Sequence, residues 1–448
     1  MSKNQILDHS ISSIAMNFIK LTTGLIIGII LAKGLMPEGR GEYAIVTVIP
    51  TTVAMLGSIG IYASCNYFIS KNEYSITEIF SNVLLINLII SILLVVISTL
   101  LSEKVLSLFN FTPSNSTIYI LAVSLIPTII FYSSLLGILY GSRNIVFVNI
   151  WESISIIIQM IMLFLSIYVL KLGINGAIIV FALVRIVDVL IYTFFVFHLG
   201  VKIIKPSIEI INKVIGYGFK VHIGRSVQFL NYRFDIYLVS IFLGMTTLGY
   251  YSVAVSLAQV LWILPNSIGM IMVPNIAKLD IKDRAIITAK ICRTTILLSV
   301  ITAFFYSGLG SIVIYEIYGK AYTPSIIPFL LLIPGVVFLT LFKIIAPFFQ
   351  ATNLPIIPSI ASIIGLLIGI PLNLLLIPRF GLLGVAFSST ITYGFQSIFI
   401  TFRFKQYSKL RYANILILSV SDIRKIVREG FIRIQSAWNY SKTVITSQ

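Results

Sequence analysis

The sequence has few charged residues, almost no cysteine, and none of the common motifs of soluble enzymes. Charged side chains make up 10% of its 448 residues, and two cysteines are too few for a disulfide framework. It has no glycine-rich loop ending in Lys-Ser or Lys-Thr, no histidine pair at ligand spacing and no Cys-x-x-Cys. We therefore expect no catalytic residues, no metal site, no cofactor and no ATP hydrolysis by the chain itself.

Hydrophobic residues dominate what remains. They form 58% of the chain, and the mean hydropathy is +1.02. A single soluble core cannot absorb that much apolar surface, whereas a bilayer needs about 20 apolar residues for each helical crossing. The apolar runs have lengths near this value, and they predict an all-α polytopic membrane protein of about twelve helices. The predicted helices span residues 11–33, 42–66, 79–101, 117–140, 144–170, 174–198, 216–243, 249–273, 286–316, 324–349, 356–377 and 382–405.

The charge balance is strongly basic, with 32 Lys and Arg against 15 Asp and Glu and a net charge of +17. In a membrane protein such an excess collects in cytoplasmic loops and faces anionic lipid, so it does not indicate a nucleic-acid partner. Most loop Lys and Arg fall on the side of the N-terminus. This asymmetry predicts a multi-pass protein of an inner or plasma membrane with both termini in the cytoplasm.

The two halves of the chain resemble each other at an offset of about 208 positions. Gly41–Ala44 aligns with Gly249–Ser252, and Gly173–Ala177 aligns with Gly381–Val385. Because each half holds an even number of helices, both begin on the same side, and a pseudo-two-fold axis along the membrane normal should relate two six-helix lobes around a cleft. The predicted domains are an N-terminal lobe (1–206), a C-terminal lobe (207–408) and a basic cytoplasmic tail with an amphipathic helix (409–448).

Glycine pairs four residues apart recur within the predicted helices. This spacing lets helix backbones approach closely and predicts packing inside the lobes. The pairs are Gly24 and Gly28, Gly137 and Gly141, and Gly365 and Gly369.

In the tail, residues 421–438 place apolar side chains on one stripe with arginines and a lysine around it. The pattern predicts an interfacial helix on the cytoplasmic leaflet; a soluble helix docked on the protein is the alternative.

Ionisable residues inside the predicted helices are the most informative side chains. Each costs at least about 2.5 kcal/mol at a helix centre, so it normally faces a cavity or a partner. Arg185 and Asp188 are three positions apart and can pair on one helix face, whereas Arg233 and Asp235 cannot. Counted as lying inside the bilayer, six residues are basic and two are acidic, which leaves a surplus of four positive charges. The basic residues are Lys20, Arg185, Lys220, Arg225, Arg233 and Lys343, and the acidic ones are Asp188 and Asp235.

The seventh predicted helix carries the most polar residues. Arg225, Gln228, Tyr232 and Asp235 recur at spacings of three and four, which places them on one stripe. Such a stripe fits a helix that lines a wet cleft and binds an anionic headgroup. The alternative is snorkelling to the interface, which suits Lys220 but not the deeper Arg225.

Three segments resemble the Wzx-type oligosaccharide flippases of the multidrug/oligosaccharidyl-lipid/polysaccharide exporter superfamily. They are Leu35–Tyr43 (LMPEGRGEY), Asn231–Asp235 (NYRFD) and Thr247–Ala254 (TLGYYSVA). The likeness covers nearly the whole chain, and its packing motifs identify the superfamily better than the substrate.

The resemblance implies alternating access around a cationic cavity and translocation of undecaprenyl-diphosphate-linked repeat units for surface polysaccharide such as O-antigen or capsule. It implies membrane lipids as surroundings, a polysaccharide polymerase and a chain-length regulator as neighbours, and coupling to a proton or ion gradient as an option. The residues it places in the cavity are Arg225, Arg233 and Asp235, then Lys20 and Lys343; Gln228, Lys220, Arg185 and Asp188 complete the predicted substrate-binding set from their positions.

Two other functions compete with this interpretation. A cation-coupled multidrug antiporter of the same superfamily would need membrane-embedded carboxylates, and the chain has the opposite bias. A membrane polysaccharide polymerase or lipid-linked glycosyltransferase would carry its chemistry on a long outer loop. The longest predicted outer loop, residues 102–117, has only Glu103 and Lys104 as charged side chains.

Overall fold

The computed structural model describes residues 3–109, 116–276 and 279–418. The described residues are overwhelmingly helical and contain no β-strand. Nine of their helical stretches are long and apolar enough to cross a membrane. Three of the nine contain a backbone break, at Met36, Gly244 and Gly381, so each of the three counts as two helices. The predicted all-α architecture of about twelve membrane helices is confirmed.

The first six membrane helices form the N-terminal lobe. We call the side on which the first helix begins the N-terminal side, and the other the opposite side. Helices α1 and α2 share Lys3–Gly57 and meet at Met36, and α2 continues through Ile61–Ser70. The others are α3 (Ile76–Leu100), α4 (Ser116–Val123 and Ile126–Gly141), α5 (Ile145–Phe164 with the π-turn Leu165–Val169) and α6 (Gly173–His198); a short helix, Ser102–Leu108, follows α3.

The second six helices form the C-terminal lobe in the same order. Helices α7 and α8 share Ile208–Ala258 and meet at Gly244, and α8 continues through the 3₁₀ turn Gln259–Trp262 and Ile263–Ile276. The others are α9 (Ile281–Ile312 with the π-turn Val313–Tyr318), α10 (Ile326–Ala351 after the 3₁₀ turn Lys320–Ser325), and α11 and α12, which share Ile356–Ser408 and meet at Gly381; a short helix, Tyr412–Leu416, ends the described chain.

The backbone breaks repeat with the same period as the sequence. Met36 and Gly244 are 208 positions apart and share one conformation, with φ 58°, ψ 174° and φ 79°, ψ 177°. Gly173 and Gly381 are also 208 positions apart, and both have positive φ (56° and 54°). Glycine adopts these angles freely, whereas at Met36 the packing around the break must hold them against side-chain strain.

The glycine pairs do bring helices together, although unequally. A Cβ at Gly137 of α4 would lie 2.5 Å from the Tyr62 carbonyl oxygen of α2. A Cβ at Gly365 of α11 would lie 2.1 Å from Gln396 Nε2 of α12. At Gly24 the nearest atom is 4.0 Å away, which is ordinary contact. The close approaches therefore serve packing within each lobe, as predicted.

The outer faces of both lobes are apolar and unpartnered within the chain. Leu100, Phe194 and Phe304 are more than 70% exposed. Inside the C-terminal lobe, α10 buries Phe329, Phe348 and similar side chains completely. Exposed side chains of this kind are stable against lipid tails, and the chain is a multi-pass membrane protein.

The connection between the lobes is shorter than the gap between the predicted helices 174–198 and 216–243. Residues 201–207 are extended, and α7 already begins at Ile208, eight residues before the predicted start. The Ile204 amide donates to Ser81 Oγ at 3.0 Å, and the Ser207 amide donates to Asn82 Oδ1 at 2.7 Å. The connection is thus hydrogen-bonded to α3. The predicted amphipathic helix at 421–438 lies outside the described residues.

Candidate functional site

Helices α2 and α7 form one border between the lobes, which we call the first seam. Hydrogen bonds join the two helices at several depths. Tyr237 Oη donates to Thr52 Oγ1 at 2.6 Å. Nearer the N-terminal side, His222 Nε2 lies 2.9 Å from the Leu56 carbonyl oxygen. Helix α2 turns through Gly60, with φ 74°, one residue after the positive φ of Ile59. His222 therefore meets a carbonyl at the point where α2 is interrupted.

The lobes also meet at the opposite side, through the two backbone breaks. A Cβ at Gly41 would lie 1.9 Å from the Met245 carbonyl oxygen, and a Cβ at Gly249 would lie 1.8 Å from the Pro37 carbonyl oxygen. These contacts are reciprocal, because each glycine follows the break of its own lobe and abuts the break of the other. We call Pro37, Gly41, Met245 and Gly249 the opposite-side seal.

In the two-fold repeat, α8 and α1 are the counterparts of α2 and α7, and we call the border between α1 and α8 the second seam. Tyr322, just before α10, donates to the Ala32 carbonyl oxygen of α1 at 2.8 Å near the opposite side. Toward the N-terminal side, α1 contacts α5 at Lys20 and Gly24, and the Ile263–Ile276 segment of α8 packs mainly against α10. The two helices of this seam thus belong to separate lobes on the N-terminal side.

An ion pair in the N-terminal lobe joins α1 to α5. Lys20 Nζ lies 2.8 Å from Glu152 Oε2, and the side chain of each residue is 22% exposed. Tyr132 Oη of α4 donates to the other carboxylate oxygen of Glu152 at 3.3 Å. Lys20 therefore has a carboxylate partner within its own lobe.

A second ion pair lies on α6, where Arg185 Nη1 is 3.3 Å from Asp188 Oδ2. Asp188 is buried and also accepts hydrogen bonds from Trp151 Nε1 at 3.0 Å and Ser155 Oγ at 2.7 Å. The guanidinium of Arg185 lies over the Tyr132 ring at 4.9 Å. The predicted pairing of Arg185 with Asp188 is present, and Lys20 and Arg185 each have a carboxylate partner.

Glu152 is an ionisable residue that the sequence count omitted. It lies in the middle of α5, inside the predicted helix 144–170. Adding Glu152 to the residues counted in the sequence analysis gives six basic and three acidic residues, so the surplus within that set is three charges and not four. A complete count of ionisable residues within the predicted helices would have found it.

The polar stripe of α7 does not line an open cleft over its whole length. Ser362 of α11 donates through Oγ to Gln228 Oε1, and its carbonyl oxygen accepts from Asn231 Nδ2. Asp235 is buried and accepts a hydrogen bond from Tyr251 Oη of α8. Most of the stripe therefore packs into the C-terminal lobe, because its polar groups find partners on α8 and α11.

Arg225, at the N-terminal end of the stripe, is exposed. Its guanidinium lies 5.0 Å from the centre of the Tyr62 ring on α2. Lys220 is also exposed, one turn nearer the N-terminal side. Arg233 is half-buried and forms no salt bridge with Asp235, in agreement with their spacing of two residues.

Lys343 of α10 projects from the C-terminal lobe with no carboxylate partner among the described residues. Its Nζ donates to Asn266 Oδ1 of α8 at 2.9 Å. The ammonium lies 4.5 Å from the centre of the Trp262 ring and 5.5 Å from that of Tyr232. Sequence analysis selected Lys343 but missed Trp262 and Asn266, which hold it.

A small polar cavity lies beside Asp235 in the C-terminal lobe. Its volume is about 20 Å³, enough for one water molecule or one small ion. Asn373 Oδ1 and Thr392 Oγ1 are buried without a hydrogen-bond partner in the described structure. The wall includes Asn231, Asp235, Asn373, Ser389, Thr392 and Tyr393. Among the described residues, neither this cavity nor any other place brings together three or more His, Cys, Asp or Glu side chains that could hold a metal ion.

Solved structures with the same fold are transporters. An inward-closed lipid II flippase MurJ aligns with a TM-score of 0.73 and 18% identity, over 89% of this chain and 90% of its own. An inward-facing multidrug resistance MATE family transporter of the MOP superfamily aligns with a TM-score of 0.68 and 17% identity, over 89% and 99%. An outward-facing structure with the same description aligns with a TM-score of 0.63 and 17% identity, over 90% and 95%.

Sequence comparison places the chain in a family. No curated protein matches it. The model of the family described as "Polysaccharide biosynthesis protein" matches residues 6–280, which is more than half of the chain. The fold agrees with this match, since the twelve helices in two lobes are those of the MOP-superfamily transporters above. The chain therefore belongs to the polysaccharide biosynthesis protein family.

Proposed function

We propose that the protein flips undecaprenyl-diphosphate-linked oligosaccharide repeat units across the bacterial cytoplasmic membrane for surface polysaccharide assembly. The two lobes alternate access to a shared site between them. The N-terminal side is the cytoplasmic one, as the distribution of loop Lys and Arg indicates. The protein is a transporter, and no residue has a catalytic role.

The observation that carries this proposal is the presence of basic side chains without carboxylate partners between and within the lobes. Among the described residues, neither Arg225 nor Lys343 forms a salt bridge. A cation in a low-dielectric setting is costly unless an anion meets it, and a diphosphate supplies at least two negative charges. The retained positive charge thus fits an anionic substrate such as a lipid-linked diphosphate glycan better than a neutral or cationic one.

The lipid tail requires a lateral opening, since it stays in the bilayer while the headgroup crosses. The seam between α1 and α8 suits this role, because on the N-terminal side α1 contacts α5 and α8 packs mainly against α10, each within its own lobe. The seam between α2 and α7 is fastened by His222 and Tyr237 and stays closed. The substrate would enter from the cytoplasmic leaflet past α1 and α8.

Coupling to a proton or ion gradient is part of the proposal, and Asp235 is its site. The carboxylate is buried beside a cavity of about 20 Å³, with unpartnered oxygens on Asn373 and Thr392. A carboxylate and neutral oxygens are suitable ligands for a proton or a small hard cation. Its binding would stabilise one arrangement of α7 against α11 and α12. A polymerase and a chain-length regulator remain the expected neighbours.

The Asp235 cavity also keeps one alternative open. A cation-coupled multidrug antiporter needs a buried carboxylate; Asp235 supplies one, and Glu152 is half-buried. Glu152, however, is paired with Lys20, and the uncompensated side chains of the described interior are basic. Binding of organic cations is therefore disfavoured electrostatically.

The test is translocation of a fluorescent polyprenyl-diphosphate sugar in proteoliposomes, with protein-free vesicles as the background. We expect transport by the wild type, a loss of at least about tenfold in Arg225→Ala, and no loss in Lys282→Ala, a matched control at an exposed basic residue of α9. If the wild type moves no lipid but extrudes organic cations, the antiporter function is correct. Normal transport in Arg225→Ala would remove Arg225 from the site and leave the flippase function standing.

A further inference from the structure

The two lobes treat their interior basic residues differently. In the N-terminal lobe, Lys20 is paired with Glu152 and Arg185 with Asp188, so these four charges cancel. In the C-terminal lobe, Lys343 contacts an amide oxygen and two aromatic rings. The positive charge available to a ligand is therefore concentrated on the C-terminal lobe, at Lys343 of α10 and Arg225 of α7.

The surroundings of Lys343 position its ammonium without neutralising it. The ring faces of Trp262 and Tyr232 attract a cation through their quadrupoles but carry no net charge. Asn266 Oδ1 accepts one of the three ammonium hydrogens, so two remain for a ligand. Asn266 is exposed, so its side-chain amide is also accessible to a ligand. The arrangement is that of an anion receptor.

Lys343 also lies deeper than Arg225, measured from the N-terminal side. Arg225 and Tyr232 are seven residues apart on α7, which places them on one face about 10 Å apart along the helix. Lys343 contacts Tyr232, the deeper of the two. On α10, Lys343 is eight residues before Ala351, or about 12 Å from the N-terminal-side end of that helix.

Because Lys343 and Arg225 lie at different depths, they would meet different parts of a lipid-linked glycan. The polyprenyl tail remains in the bilayer, so the attached diphosphate enters from the N-terminal side and first meets the exposed Arg225. The glycan extends from the diphosphate into the cavity and reaches the level of Lys343. A neutral sugar there would hydrogen-bond with the ammonium but leave its charge uncompensated, whereas a sugar carboxylate would do both.

We infer that Lys343, held by Trp262, Tyr232 and Asn266, binds a carboxylate on the glycan, and that the substrate is an acidic repeat unit containing a uronic-acid-type sugar. This inference rests on the proposed flippase function. It assigns the diphosphate to Arg225 and the sugar carboxylate to Lys343. Lys20 and Arg185, both paired, contact neither group.

The experiment uses two fluorescent polyprenyl-diphosphate disaccharides that differ in one position, one with a glucose unit and one with a glucuronate unit. Initial translocation rates and binding to the full-length protein in nanodiscs are measured for wild type, Lys343→Gln, Lys343→Arg and Arg225→Gln. Thermal unfolding of each variant checks that it is folded. Lys343→Arg is the matched control, because it retains the charge.

We expect Lys343→Gln to weaken binding of the acidic lipid by about tenfold or more and that of the neutral lipid by less than about twofold. Lys343→Arg should keep most of the preference, and Arg225→Gln should weaken both lipids equally. Equal losses for the two lipids in Lys343→Gln, or no loss for either, would overturn the inference while the flippase function stands. If the wild type binds and moves neither lipid, the proposed function itself has failed.

Discussion

Lys20 and Glu152 are 132 positions apart in the sequence and form a 2.8 Å salt bridge that attaches α1 to α5. The first helix has few other buried contacts, since only 17% of its most apolar segment is buried within the protein. Tyr132 adds a hydrogen bond to Glu152 from α4. The ion pair therefore holds the helix that borders the proposed lateral opening.

Removing one partner of this pair should cost more stability than removing both. In Glu152→Gln or Lys20→Gln, the remaining charge is left half-buried without a counter-charge, whereas the double variant leaves two neutral groups that can still hydrogen-bond. Thermal unfolding in detergent should give a coupling free energy on the order of 1 kcal/mol between the two sites. Strict additivity of the two single effects would show that the pair does not hold α1.

The number of helices and the two-lobe repeat were predictable from the sequence because they depend on local properties. Apolar run length sets where a helix can cross the membrane, and the 208-residue offset places Met36 opposite Gly244 and Gly173 opposite Gly381. Helix ends were less predictable. Helix α7 begins at Ile208, since a helix can extend beyond the bilayer into water where hydropathy gives no signal.

The interior of the site was only partly predictable, because it depends on contacts between distant residues. Periodicity placed Arg225, Gln228 and Asp235 on one stripe, but it could not show that Gln228 and Asp235 face α11 and α8. Nor could it show that Lys20 is neutralised by Glu152. Which basic residues keep their charge available is a tertiary property.

The opposite-side seal should be sensitive to a single methyl group. Gly41→Ala places a Cβ 1.9 Å from the Met245 carbonyl oxygen, and backbone atoms cannot move aside as a side chain can. We expect the lobes to separate on that side. Spin labels on Leu172→Cys and Phe380→Cys, two exposed positions in the corresponding loops of the two lobes, should report longer distances by double electron–electron resonance.

Two variants sharpen this measurement. Gly249→Ala should act like Gly41→Ala, since its Cβ would meet the Pro37 carbonyl oxygen at 1.8 Å. Gly308→Ala is the control, because no atom lies within 4 Å of a Cβ there. The native cysteines, Cys65 and Cys292, are buried and should take up little label. An unchanged distance distribution in both seal variants would mean that the lobes tolerate the added atom by local adjustment.

Packing of α4 against α2 gives a stability prediction. Gly137→Ala places a Cβ 2.5 Å from the Tyr62 carbonyl oxygen, and overpacking of this kind costs about 1–3 kcal/mol. Gly216→Ala on α7 meets no atom within 4 Å and should be neutral or stabilising, because alanine favours a helix by about 1 kcal/mol over glycine. Thermal unfolding of the two variants should therefore move in different directions; equal midpoints would contradict the close approach of α4 and α2.

Replacement of Asp235 should separate substrate movement from its energy source. Asp235→Asn keeps the shape of the side chain and an oxygen that can accept the Tyr251 hydrogen bond, so the fold should survive. It removes the negative charge beside the 20 Å³ cavity, and with it the site for a proton or cation. In proteoliposomes with an imposed pH or sodium gradient, we expect wild-type flipping to accelerate under one of the two gradients. Asp235→Asn should flip at the rate without a gradient whichever gradient is imposed.

Tyr251→Phe, which keeps the carboxylate but removes its hydrogen-bond donor, should still respond to the gradient. If Asp235→Asn retains the full acceleration, the coupling group is not Asp235. Glu152, a half-buried carboxylate paired with Lys20, then becomes the residue to replace next.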